Sequence, residues 1–303
     1  MRTPALPRSA WLGVLLTVAL TGCVKKVALR SLADTFASSS SSSFGQDEDL
    51  QLVGDAVPFA LKLMESLAAE VPDHRGLRLS LASGFTQYAM VWVLWPAEQE
   101  KYGDFAAYRA GVQRARAMLL RARGYAFEGM DMVHPGFSEG ILTDPEAALA
   151  ACTAADVPYL YWLGASWLAA ISSSREDPEM IGQIPTVADI LHRAEALDEA
   201  WDRGSIHEVL ISLEPVLPGP DGPARAKAHF DRAMELNGGA RAGPFVSLAT
   251  ATTVDAQDRE RFEALLGQAL AVDVEQSPPD RLANAYAREQ AQFLLSHADD
   301  LFI

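Results

Sequence analysis

The chain has 303 residues, 49% of them apolar, and carries 40 acidic against 25 basic side chains for a formal charge of −15. That length and apolar share can build one substantial core. An acidic surface of this strength repels phosphate backbones and anionic headgroups, which argues against nucleic acid as a partner.

The chain opens with Arg2 and Arg8, continues through an apolar stretch from Trp11 to Leu20, and reaches Leu20-Thr21-Gly22-Cys23. A basic, apolar, small order is that of an export signal, and an apolar run of about ten residues is too short to cross a bilayer. The Leu-Thr-Gly-Cys ending resembles the bacterial lipobox. That resemblance implies cleavage after residue 22, lipidation of Cys23 and attachment to a membrane through the lipid alone. Loss of residues 1–22 removes two positive charges, leaving −17. Val24, where an aspartate is associated in some bacteria with inner-membrane retention, favours the outer membrane. With Cys23 lipidated, Cys152 has no disulfide partner and reads as a small core residue.

Residues 25–37 form a short amphipathic segment, and Ser38–Ser43 reads as a flexible spacer. The organisation expected is therefore a signal over 1–22, a lipidated tether over 23–46 and a single all-helical domain over 47–303. Helices are predicted at about 49–70, from 75 onward, then at 102–125, 144–151, 156–172, 186–203 and 206–213. A loop rich in Pro and Gly is expected at 215–223. Leu77, Leu81, Phe85, Tyr88, Trp92 and Trp95 recur at steps of three or four and are expected on one face. Ala226, Phe230 and Ala233, ending at Gly238-Gly239, match the pattern of the second helix of a tetratricopeptide repeat, with a looser echo at Phe262, Leu265, Leu266, Ala269 and Leu270. The fold class expected is all-α, with stacked tetratricopeptide-like hairpins forming a compact superhelical bundle.

No charged residue occurs from Leu79 to Ala97 or from Val157 to Ser174. A helix without a polar face must be covered on all sides, by lipid, by core or around a cavity. Polar residues within both runs weigh against a membrane span. These helices hold Trp92, Trp95, Trp162 and Trp167, and such aromatics would also suit the wall of an apolar ligand site.

Gly136-Phe137-Ser138-Glu139-Gly140 matches the Gly-x-Ser-x-Gly nucleophile pattern, with His134 nearby, but the strand that must precede it is missing from the sequence, so a loop is expected. A serine hydrolase using Ser138 is the most distant of the alternatives. His74, His192, His207, His229 and His297 stand singly among charged residues and read as surface or capping groups. No Cys/His metal spacing, phosphate loop or dinucleotide fingerprint appears, so neither metal nor cofactor is expected.

The stretch from Asp55 to Leu67, then Pro72-Asp73-His74, then Leu81 to Ala89, together with Tyr161-Trp162-Leu163-Gly164-Ala165-Ser166-Trp167, resembles the T component of TRAP transporters. The resemblance implies a periplasmic lipoprotein of tetratricopeptide-like hairpins that associates as a homotrimer and is not an enzyme. It implies a periplasmic solute-binding protein as partner and an apolar pore for a small apolar or organic-acid ligand. Phe85, Tyr88, Trp92, Tyr161 and Trp162 are the lining residues expected on that basis. The alternative is a scaffold for envelope assembly, with filled helices and no ligand path.

Overall fold

In the computed structural model, which describes residues 25–37, 44–174 and 176–303, side-chain caps set where several long helices begin. The expected signal, Cys23 and the serine run lie outside the described residues. Helix α1 (25–37) lays Ala33, Leu29 and Phe36 on the next two helices. Asp49 accepts from Leu52 N to start α2 (Leu50–Glu70), and the His74 ring accepts from Leu77 N to start α3 (Arg75–Ala89). Each cap satisfies one of the four orphan amides at a helix start, worth about 1 kcal/mol.

Beyond Ala89 the backbone takes a π-turn over Met90–Leu94 before resuming as α4 (Trp95–Gln99). The extra residue in that turn rotates α4 relative to α3, and it breaks the single apolar stripe expected from Leu77 to Trp95. Leu77, Leu81 and Phe85 pack under α2, whereas Trp95 turns towards the end of the chain.

Asp104 caps α5 (Phe105–Asp131), the longest helix, which packs between α3 and the second charge-free helix. Two short helices, α6 (Phe137–Thr143) and α7 (Pro145–Ala150), then lead to α8 (Val157–Ser172). The cover demanded by the uncharged faces is present: α8 touches α3 and α5, and on its other side α10 (Ile184–Leu197), which comes after the single-turn α9 (Pro178–Ile181). No helix among the described residues is long and apolar enough to cross a membrane.

The helix expected at 186–203 stops at Leu197. Asp202 and Arg203 take left-handed conformations (φ 43° and 54°), and Gly204 comes next at φ 94°. Helix α11 (Ser205–Leu213) then pairs with α12 (Gly222–Asn237). Ala226, Phe230 and Ala233 are buried as the repeat pattern requires, and left-handed Gly238 and Gly239 end the helix. A second hairpin joins α13 (Gly243–Thr252) to α14 (Arg259–Ala271), ahead of α15 (Arg281–Ser296) and the short α16 (Ala298–Leu301).

All regular structure among the described residues is helical. The array closes on its own beginning. Leu282 N donates to Gly45 O, α15 touches α2, and Trp95 Nε1 donates to Glu289 Oε1 across 194 residues while its ring meets Tyr286 and Phe293 edge-on.

Candidate interior binding site

Partly accessible aromatic and polar side chains gather where α8 meets the turn before α11. On α8, the Tyr161 ring stands edge-on to Trp162, with centroids 4.9 Å apart, and lies 4.6 Å from Trp201. Trp201 immediately precedes the left-handed pair Asp202 and Arg203. Left-handed non-glycine residues cost roughly 1–2 kcal/mol each and persist only where neighbours hold them.

Here the neighbours do hold them. Arg241, from the α12–α13 turn, donates to Asp280 (3.0 Å), Ser205 (2.6 Å) and Asp202 (3.3 Å). Arg203 grips the same Asp280 through two bonds of 2.7 and 2.8 Å. Asp280 thus ties the strained turn to the start of α15. Burial opposes the charge on Arg241, but Asp202, Glu208 and Asp280 outweigh it and keep the guanidinium firmly protonated.

Glu208, one turn into α11, supplies the most unusual group. Burial raises its carboxyl pKa, with Asp202 and Asp280 adding to the shift and Arg241 opposing it. Burial likewise raises the Tyr161 and Tyr286 phenols. All three side chains nevertheless keep accessible surface. Gly243 lies against Glu208, and a methyl group there would overlap the carboxylate.

The five aromatic residues expected to line one site fall into two groups. Tyr161 and Trp162 cluster with Trp201. Phe85 is buried against Tyr125 (5.9 Å) beneath the Arg121 guanidinium, and Tyr88 stacks on Trp92 (5.8 Å). Trp92 donates to Leu50 O (2.7 Å), seats on Gly54 and borders a narrow cleft between α2 and α3 of about 50 Å³. The two helices that carry the uncharged runs meet directly at their N-terminal ends, where Tyr159 OH donates to Arg75 O (3.1 Å). Sequence reasoning missed Trp201, Ser205, Glu208, Arg241 and Asp280, because scattered polar residues carry no periodic signal.

Ser138 lies in the first turn of α6, not in a loop, after left-handed Gly136. Helix α5 and a turn precede it, and His134 is engaged with Asp156 (3.0 Å). The strand-to-helix setting of a nucleophile elbow is not met. Among the histidines, His74 is the cap expected, but His207 is buried and packs against His229.

The family model described as TRAP transporter T-component matches residues 46–302. An uncharacterised protein of Treponema pallidum (strain Nichols) is 28% identical over 266 residues, which is 86% of this chain and 82% of that one.

Proposed function

The chain belongs to the TRAP transporter T-component family, and from that premise we propose that it is the periplasmic lipoprotein subunit of a TRAP-type uptake system. Lipids on Cys23 hold it to the outer membrane, and it docks a periplasmic solute-binding protein. The cluster of Tyr161, Trp162 and Trp201 takes a small apolar or organic-acid ligand. Phe85, Tyr88 and Trp92 form the second aromatic group along the path. The family match over nearly the whole helical body carries this reading.

This cluster supports it on chemical grounds. Aromatic rings offer apolar contact, and beside them burial raises the carboxyl pKa of Glu208 above the ordinary range. No covalent chemistry is assigned to the protein. The family relationship also implies self-association as a trimer, and Leu52 and Phe59, exposed two turns apart on α2, supply apolar surface for it.

A scaffold role in envelope assembly is the second reading. It draws on the α2–α3 cleft, whose volume of about 50 Å³ is far below the roughly 300 Å³ of a small-molecule site.

Pull-down of the lipidated chain from native membranes should recover a periplasmic solute-binding protein, and recovery of unrelated envelope proteins alone would count against the proposal. In parallel, short- and medium-chain carboxylates should quench indole emission in the wild type and lose affinity in Trp162→Ala. Equal titrations in both proteins would leave only the scaffold.

A further inference from the structure

Three consecutive long helices bring three metal-ligating groups to one point. Glu195 comes from the last turn of α10, His207 from the first turn of α11 and His229 from the middle of α12. His207 Nδ1 and His229 Nδ1 are 2.9 Å apart, and Glu195 Oε1 stands 3.5 Å from the first and 3.6 Å from the second.

This triangle has the size of one face of a tetrahedral site. A point in its plane equidistant from the corners is about 1.9 Å from each, so an ion with bonds of ~2.0–2.1 Å sits roughly 0.6 Å to one side. Four-coordinate zinc places its ligand atoms about 3.4 Å apart by the same bond lengths.

The surroundings of the two rings favour the tautomers that a cation needs. His207 Nε2 is buried without a hydrogen-bond partner and faces Glu199 Oε2 at 3.7 Å. His229 Nε2 faces Glu214 Oε1 at the same distance. A carboxylate opposite Nε2 favours the proton on that nitrogen and leaves Nδ1 as a bare lone pair. In the metal-free chain one Nδ1 donates to the other across 2.9 Å. A bound cation replaces that shared proton, which moves to an Nε2 facing Glu199 or Glu214, and the two outer carboxylates become the supports that orient metal-bound imidazoles.

We propose that Glu195, His207 and His229 bind one divalent ion of the zinc class, with a fourth position open to water. Two imidazoles and a carboxylate are a borderline-soft set that selects zinc-like ions over calcium or magnesium. Glu195 and His229 are partly exposed, so the ion can enter from solvent. Once bound it clamps α10, α11 and α12 where the two main parts of the core meet. The site is independent of the transport reading, since no residue proposed to line the ligand path belongs to it.

The test uses the untagged chain, stripped with a chelator and titrated with Zn²⁺ by calorimetry, with Co²⁺ absorption as an optical probe of coordination number. One tightly bound Zn²⁺ per chain, a rise of several degrees in Tm on saturation and four- or five-coordinate Co²⁺ bands are expected. His229→Ala and Glu195→Gln, which sit nearer the surface than His207, should each weaken binding at least about tenfold while keeping the wild-type circular dichroism. Absence of stoichiometric binding in the wild type would overturn the proposal. So would affinity unchanged in both variants, which assigns the zinc to scattered surface carboxylates.

Discussion

Arg75 and Asp156 pair at 2.6 Å, one from the first turn of α3 and the other from the residue before α8, so the two helices that carry the uncharged runs are tied together by opposite charges at their starts. Asp156 is buried and also accepts from Thr153 and from the His134 ring. Arg75 lies over the Tyr159 ring (3.9 Å) and donates to Gly129 O (2.9 Å). A single buried carboxylate therefore joins α3, α8 and the turn after α5.

Burial pushes the Asp156 pKa upward, but bonds from Thr153, His134 and Arg75 prevail and hold it at about 2, below the ordinary 3.8. A depressed folded-state pKa contributes stability that is complete above the unfolded value near 4 and is lost as pH falls through 2. The shift corresponds to roughly 2–3 kcal/mol. Thermal melts should show Tm of the wild type falling between pH 4 and 2 by several degrees more than in Asp156→Asn. The variant should already be destabilised at pH 7, and parallel pH profiles would remove Asp156 as the cause.

Gly204 combines φ 94° with close neighbours, since an added methyl would lie 3.2 Å from Leu236 Cβ and 3.3 Å from Ala233 Cα. Gly204→Ala should cost about 1–3 kcal/mol in urea unfolding. Gly267, within α14, has open space around the same position. Gly267→Ala should stabilise by roughly 0.5–1 kcal/mol. Both substitutions moving stability in the same direction would refute the conformational argument.

Replacing Arg241 with Met removes the shared donor of Asp202, Ser205 and Asp280. Loss of one partner from a buried ionic network costs about 3–5 kcal/mol, and the bonds Arg203 keeps with Asp280 should hold this loss near the lower figure. Because the network positions Trp201 over Tyr161, the near-ultraviolet circular dichroism should weaken as well. An unchanged aromatic spectrum would mean that the strained turn stands without Arg241.

Burial first, with Asp156 adding to it, pushes the Cys152 thiol up to about 11. Thiolate is the reactive form, so Cys152 should resist iodoacetamide at pH 8 in the native protein and react readily in urea. Mass spectrometry of the alkylated chain reads both states, and rapid native labelling would contradict the packing described.

Much of the helical framework was legible because periodic apolar positions and caps are local. The predicted start at Arg75, the end before Pro72 and the buried Ala226, Phe230 and Ala233 all lie within a few residues of the signals that announce them. Helices α6, α13 and α15 gave weaker signals, being short or bearing polar residues among small ones. The overrun past Leu197 arose because the left-handed conformations at Asp202 and Arg203 answer to Asp280 and Ser205, partners that no local pattern names.

From the sequence alone came the helical class, the resemblance to the transporter family and the requirement that two charge-free helices be covered on every side. Tertiary structure decided which helices cover them, that Trp95 reaches Glu289 across 194 residues, and that His207 meets His229 rather than facing water. The physical reason is that helical periodicity records which face avoids solvent and carries nothing about the neighbour it meets. Side chains on different helices converge only after packing has set the crossing of one helix against another, and single histidines become a ligand set at that stage.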